Sequence, residues 1–123
     1  MKDGRYAIYN NNTYEASLDG ETKKIILYTK NASQSNFTKS KIDGYYSLKV
    51  DKKDITDAYE LKTYAFLADD RVEIIETKMD SILISTFDPL IAKKHGIPRV
   101  AYSEFRKDIK DCEIKQIKTR IWV

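Results

Sequence analysis

Apolar and polar residues alternate along most of the chain, and this period of two predicts a mainly β protein. The clearest case is 45–50, where Tyr46, Leu48 and Val50 face one side and the residues between them face the other. The nearly continuous apolar run 24–29 indicates a strand buried on both faces. The predicted strands are 5–9, 13–18, 24–29, 45–50, 58–67, 71–76, 81–86, 100–105 and 112–123.

Short turn signals separate these strands. Asn10-Asn11-Asn12 and Asp19-Gly20 predict tight turns, because Asn, Asp and Gly tolerate the backbone angles that such turns require. The segments 51–55 and 107–109 each predict a further tight turn, the first of them a single helical turn.

One helix is predicted, over 88–96. Asp88 can cap its N-terminus, Pro89 suits its first position, and Gly96 can end it in the left-handed conformation. The polar segment 30–41 is expected to be a connector, with at most a short helical turn before Asp43-Gly44.

The second half of the chain is similar to the first. Residues 6–29 align with 64–86, and Lys53-Asp54-Ile55 aligns with Lys107-Asp108-Ile109 in the same order. Five strands with a tight turn before the fifth is an element order similar to that of Src-homology-3-like small barrels. We therefore predict two tandem five-stranded Src-homology-3-like units with one or two short helices. The units share a continuous strand around Tyr64 and are fused into one compact domain. The predicted units are 1–63 and 64–123.

Composition supports a globular chain. Of the 123 residues, 41% are hydrophobic, and the 33% that are charged are mixed in sign, with a net charge of +3. That charge is spread evenly over the two halves, so nucleic acid is not the expected partner. No apolar run is long enough for a membrane span or a secretion signal, and Cys112 is the only cysteine. We expect a cytoplasmic protein that does not contact a membrane.

Catalytic and metal-binding signatures are missing from the sequence. The single histidine, His95, is expected to interact with the end of the predicted helix, and Asp111 and Glu113 would raise the pKa of the Cys112 thiol. No phosphate-binding loop, nucleophile motif or metal-ligand spacing occurs. We expect a protein that is not an enzyme and has no cofactor and no metal.

A cluster of carboxylates is the first candidate for partner binding. It lies in the predicted hairpin that follows the shared strand, and it is either a solvated edge that discourages strand addition or a patch for a basic partner. Glu73 and Glu76 differ in strand parity, so they are predicted to face opposite sides. The members are Asp69, Asp70, Glu73, Glu76 and Asp80.

Tyrosine is the second candidate, since the chain has nine tyrosines and this residue is enriched at protein interfaces. Tyr45 and Tyr59 are the predicted contact residues. The alternative is base stacking in a small-barrel nucleic-acid-binding module, with Tyr45 beside Lys49 or Tyr102 beside Arg99.

Three stretches resemble small immunity proteins that accompany bacterial polymorphic or contact-dependent growth-inhibition toxins. They are the opening Gly4–Tyr9 with Tyr14-Glu15-Ala16-Ser17, the mid-chain Lys62-Thr63-Tyr64-Ala65, and 92–100 followed by an aromatic strand. The resemblance implies a non-catalytic antitoxin that binds one cognate toxin domain tightly in the cytosol, as a monomer within a heterodimer. It would block the toxin's active site or an exosite. The sequence pI of about 8.8 departs from the acidic character typical of nuclease-specific members.

Overall fold

The computed structural model describes residues 1–31, 33–34 and 36–122, and it is mainly β, as the alternating pattern predicts. A 3₁₀ turn covers Lys52–Asp54, and an α-helix, α1, covers Pro89–His95. The strands are β1 (Gly4–Tyr9), β2 (Asn12–Leu18), β3 (Ile25–Thr29), β4 (Thr38–Lys39), β5 (Tyr46–Val50), β6 (Asp57–Leu67), β7 (Asp70–Thr77), β8 (Ile82–Thr86), β9 (Phe105–Ile109) and β10 (Glu113–Arg120).

The chain forms two compact units. Unit 1 contains Met1–Lys62 and Lys118–Val123, and unit 2 contains Thr63–Ile117. Strand β6 contributes residues to both units, and β10 pairs with β6. Each unit has a hydrophobic core of its own.

In unit 1 the strands are hydrogen-bonded in the order β4-β5-β3-β2-β1-β6, and all of these pairs are antiparallel. Asn10 and Asn11 join β1 to β2 with φ angles of 49° and 65°. A two-residue hairpin turn of this kind requires positive φ at both positions, which Asn tolerates better than most residues. The predicted asparagine turn is therefore confirmed.

One face of the unit 1 sheet forms its core. Leu27 pairs across the ladder with Ala16 on one side and Leu48 on the other, while Ala7 pairs with Ala58. The alanines leave room between strands that larger side chains fill, and Leu27 is 0% exposed. On the opposite face of β3, residues 26 and 28 are only half-buried. The prediction that this strand is buried on both faces was therefore wrong for its second face.

In unit 2 the order of strands is β6-β7-β8-β9. Its core contains Ala65, Val72 and Ile84 from three neighbouring strands, together with Ala92 from α1 and Ile97 just after it. The helix has only seven residues. A helix that short is held by packing rather than by its own propensity.

The predicted helix and its end signals are confirmed. The Asp88 side chain accepts a hydrogen bond from the backbone N–H of Leu90 at 2.9 Å, and Pro89 occupies the first helical position. Gly96 follows the helix with φ 63° and ψ 38°, and its N–H donates to the Ala92 carbonyl. The tight helical turn predicted at 51–55 is also confirmed, as the 3₁₀ turn.

Replacing Gly96 by alanine is expected to lower the stability of unit 2 by about 1–2 kcal/mol, because a Cβ strains the left-handed backbone conformation. No atom lies within 4 Å of the added Cβ, so the cost comes from the backbone alone. Chemical denaturation measures it. Gly20→Ala is the matched control: φ of Gly20 lies outside the left-handed region and its surroundings are equally open, so a gain of about 0.4–1 kcal/mol is expected there. Equal effects at both glycines would contradict this explanation.

The structure corrects the last part of the strand prediction. Residues 100–104 do not form a strand; they lie in a loop closed by the backbone hydrogen bonds from Val100 to Glu104 and from Arg106 to Pro98. Strand β9 instead occupies Phe105–Ile109, where a tight turn was predicted. The reason is burial, because Phe105 and Ile109 pack against the unit 2 core while Val100 is exposed.

The final strand is shorter than predicted. It ends at Arg120, after which Ile121 donates a backbone hydrogen bond to Ala58 and packs with Trp122 against the unit 1 core. Three predicted positions lie outside the described residues: Ala32 and Ser35 in the polar connector and Val123 in the final strand.

Candidate functional site

A β-bulge in β7 changes the geometry of the carboxylate cluster. Glu73 pairs with Ser85 and Ile74 with Ile84, but Glu76, not Ile75, pairs with Leu83. Ile75 is therefore the extra residue, and it is 44% exposed. Since Ser85 and Leu83 lie on the same side of β8, the bulge places Glu73 and Glu76 on one side of the ladder. The prediction that they face opposite sides was wrong.

Asp70 is half-buried and is paired with the end of α1 in unit 2. Its Oδ2 atom lies 2.7 Å from His95 Nε2 and 3.1 Å from Lys94 Nζ, both at the end of α1. Hydrogen bonds from His95 and then from Lys94 lower the pKa of the Asp70 carboxyl. This contact holds the start of β7 against the helix, so Asp70 is a structural residue rather than a surface acceptor.

Acid is expected to weaken that contact. The folded-state pKa of Asp70 lies below its ordinary value of 3.8, so its stabilisation is present above that value and is lost as the pH falls through the lower, folded-state pKa. We expect Asp70→Asn to reduce the acid-side loss of stability, measured as the shift of the urea midpoint between about pH 6 and about pH 3. Asp69→Asn removes the same charge at the neighbouring exposed position, and it should keep the wild-type shift. An unchanged shift in Asp70→Asn would contradict this role.

The tip of the hairpin, residues 75–80, remains exposed and acidic. Glu76 and Asp80 flank Lys78, whose Nζ atom is paired with Asp108 Oδ1 at 2.9 Å. The hydrogen bond to Asp108 is the main cause that raises the pKa of Lys78, and Glu76 and Asp80 add to it. Met79 is fully exposed beside them. The tip therefore presents an apolar side chain and two carboxylates, and the lysine between them, Lys78, is paired with Asp108.

Asp69, the remaining member of the cluster, is exposed at the turn before β7. Its charge contributes to the raised pKa of Lys115, although the main cause is the hydrogen bond from Lys115 to Glu113. Asp69 is therefore close to a cation that is paired elsewhere.

The two predicted tyrosines lie in unit 1 and differ in exposure. Tyr59 is buried, with its ring stacked on Tyr6 at 5.7 Å and the Lys118 amine 4.3 Å above it. Tyr45 is half-buried and meets the ring of Tyr28 edge-on at 6.4 Å. Tyr59 thus serves mainly in packing, whereas Tyr45 reaches the surface.

The basic neighbours differ from those predicted for base stacking. Lys49 is paired with Asp19 at 2.9 Å, and Lys30 instead lies over the Tyr45 ring at 5.3 Å. Arg99 lies 5.6 Å from the Tyr102 ring, as predicted, but its guanidinium also donates to two carbonyls of its own loop.

A groove on unit 1 brings Tyr45 together with other residues that the sequence alone did not single out. Its volume is about 490 Å³, and Tyr45 is one of four tyrosines in its wall. The signal that could have revealed it is strand parity, because Tyr6, Glu15 and Tyr28 are successive cross-strand partners. The aromatic and charged lining residues are Tyr6, Tyr14, Tyr28, Tyr45, Lys2, Lys30 and Glu15.

His95 and Cys112 line one open cavity in unit 2, of about 630 Å³. The arrangement superficially suggests a thiol nucleophile with a histidine oriented by Asp70. However, burial and then the charge of Asp111 raise the pKa of the Cys112 thiol. A reactive cysteine has a lowered pKa, so this environment favours the unreactive thiol.

Within the described ranges, no three His, Cys, Asp or Glu side chains come together in a group that could hold a metal ion. Over the same residues, no helix has the length and apolar character needed to cross a bilayer.

Residues 1–122 match the model of a family described as uncharacterised conserved protein UCP033725, and the chain belongs to that family. No protein of curated function and no solved structure matches the chain.

Proposed function

We propose that this protein is a non-catalytic antitoxin that neutralises a cognate bacterial toxin domain by tight binding, and that the tip of the β7–β8 hairpin is its main contact. The observation that carries the proposal is the combination at residues 75–80 of exposed apolar side chains with carboxylates. Ile75 is 44% exposed on its bulge and Met79 is fully exposed, with Glu76 and Asp80 beside them.

This combination fits a protein partner. Interfaces are typically apolar at the centre and polar at the rim, with methionine among the enriched residues. At the tip, Met79 and Ile75 supply the apolar area, and the flanking carboxylates supply a negative rim that attracts a basic surface. Because the positive charge of Lys78 is paired with Asp108, the rim formed by the two carboxylates keeps a net negative charge. The partner surface is therefore expected to be basic, with a shallow apolar depression.

The strand pairing supports the proposal that the protein is a binding scaffold built from two similar halves. In unit 1, β1 lies between β2 and β6; likewise β6 pairs with β7 and with β10. This repeated pairing supports the proposal that the chain is a duplicated Src-homology-3-like scaffold with its two halves near 1–63 and 64–123. Such sheets present hairpins and grooves to partners.

The proposed setting is the cytoplasm, where an antitoxin protects the cell that makes it. The expected complex is one copy of this chain with one toxin domain, burying about 1,200–2,000 Å² in total. No cofactor is required for inhibition by occlusion, whether the toxin's active site or an exosite is covered.

Co-expression with the toxin domain encoded beside this chain tests the proposal. Cells that make both proteins should grow, cells that make the toxin alone should not, and the purified pair should co-elute as a one-to-one complex. Growth arrest despite full expression of the soluble chain, with no complex in solution, would refute the proposed function.

A further inference from the structure

The tyrosine groove of unit 1 has the features of a ligand site that is separate from the hairpin tip. Its volume of about 490 Å³ falls within the range of about 300–1,000 Å³ that is typical for small-molecule and cofactor sites. Four tyrosines lie in its wall, and the polar groups between them come from β2, β3 and the segments next to the strands. The contact proposed at the hairpin tip uses none of these residues.

Strand pairing explains why the rings converge. Tyr6 on β1 is opposite Glu15 on β2, and Glu15 is opposite Tyr28 on β3, so the three side chains share one face. Tyr45, just before β5, meets Tyr28 edge-on at 6.4 Å. Tyr28 is fixed further by the 2.9 Å hydrogen bond between its hydroxyl and that of Ser17. The rings of Tyr28 and Tyr45 are therefore held in a fixed edge-to-face arrangement. Both side chains are half-buried and still reach solvent.

The charges along the groove favour an anion. Lys2 and Lys30 both line it, and neither has a carboxylate partner among the described residues. By contrast, other lysines among the described residues are held in ion pairs, including Lys24, Lys49, Lys78, Lys94 and Lys115. Lys30 extends its amine over the Tyr45 ring, 5.3 Å from the centroid. A positive charge next to an aromatic face suits a ligand that carries both a flat ring and a negative group.

Glu15 is the one acidic side chain in the groove. It lies close to Tyr6, because its charge follows burial among the causes that raise the pKa of that phenol. A carboxylate there would repel a phosphate and would accept hydrogen bonds from an exocyclic amino group of a base. This places the negative end of a ligand near the lysines and the ring near the tyrosines.

We propose that this groove binds a nucleotide unit, with the base stacked on the ring of Tyr45 and edge-on to that of Tyr28, and with the phosphate held by Lys30 and Lys2. Nucleotides of a single strand have both the exposed ring and the phosphate that this arrangement fits, whereas the stacked bases of a duplex do not offer their faces. The site is independent of toxin neutralisation and can be present without it.

Fluorescence anisotropy with short single-stranded DNA and RNA, titrated with the full chain, tests the inference. Stacking contributes about 1–3 kcal/mol per base, so Tyr45→Ala should weaken binding by roughly fivefold to 150-fold. Lys30→Gln should lower the slope of log affinity against log salt by about 0.7, the share of one phosphate contact, between about 50 and about 200 mM salt. Lys30 is exposed, so this variant is expected to fold even if Tyr45→Ala does not.

Tyr102→Ala and Lys107→Gln are the matched controls, since both side chains are exposed in unit 2. They should leave affinity and salt slope unchanged. A parallel titration with free mononucleotides distinguishes two kinds of site. Binding of free nucleotides as well as strands indicates a nucleotide pocket, and binding of strands alone indicates a strand-binding groove. Absence of both kinds of binding, equal affinity for duplex, or an equal loss in the control variants would overturn the proposal.

Discussion

Leu27→Ala is expected to lower the free energy of unfolding of unit 1 by about 2–5 kcal/mol, in the upper half of that range. Leu27 is 0% exposed and sits in the middle of β3. One of its cross-strand neighbours is Ala16, which has no side chain that could move into the space left behind. The cavity would therefore stay largely open. The loss of buried apolar area and the loss of van der Waals contacts would both lower the free energy of unfolding.

Urea denaturation followed by circular dichroism measures this loss, and amide hydrogen exchange assigns it to unit 1 strands. Ile42→Ala serves as the control, because it removes a similar aliphatic volume from a side chain that is 52% exposed. Its effect should stay within about 0.5 kcal/mol. If both variants unfolded at the same urea concentration, the core assigned to β1, β2, β3 and β5 would be wrong.

Reversing the charges of the hairpin tip, with Glu76→Lys and Asp80→Lys together, is expected to slow association with the toxin domain by at least about tenfold at low salt. The reason is that the two carboxylates attract a basic partner from a distance. Met79→Ala should act differently: it removes apolar contact area, so it should speed dissociation by about tenfold with little change in the association rate. Biolayer interferometry over a range of salt concentrations separates the two rates.

A matched reversal in unit 1 controls for the net charge of the molecule. Glu21→Lys with Asp43→Lys also replaces one Glu and one Asp, both at exposed positions. This pair should bind at nearly the wild-type rate. If the control slows association as much as the tip variant does, the hairpin is not the contact, even if the chain still protects cells.

The local signals of the asparagine turn and of the helix ends predicted the structure correctly. The Asn10-Asn11 turn needs only the tolerance of asparagine for positive φ, and the helix ends at Asp88 and Gly96 need only the preferences of those residues. Strand β9 was misplaced because its position depends on which residues reach the unit 2 core. Phe105 does so and Val100 does not, although both belong to the one strand predicted over 100–105.

The carboxylate cluster and the tyrosine groove also combine features visible in the sequence with features that only the structure shows. The carboxylates of 69–80 are close in sequence, so their clustering was visible at once. The engagement of Asp70 by His95, 25 residues later, was not visible, and neither was the bulge that turns Glu76 to the side of Glu73. The tyrosine groove combines side chains from several strands, and its members could be found only once the register of those strands was known.

The sequence by itself determined the mainly β character, the asparagine turn, the helix with both of its end signals, and the presence of an acidic hairpin, because each depends on residues within a few positions of one another. The tertiary structure decided which carboxylates stay at the surface, which tyrosines share a face and where the ninth strand lies. Those outcomes depend on pairing and burial between distant segments. A single extra residue in β7 reverses the side on which the following side chains lie, and no local preference reveals it.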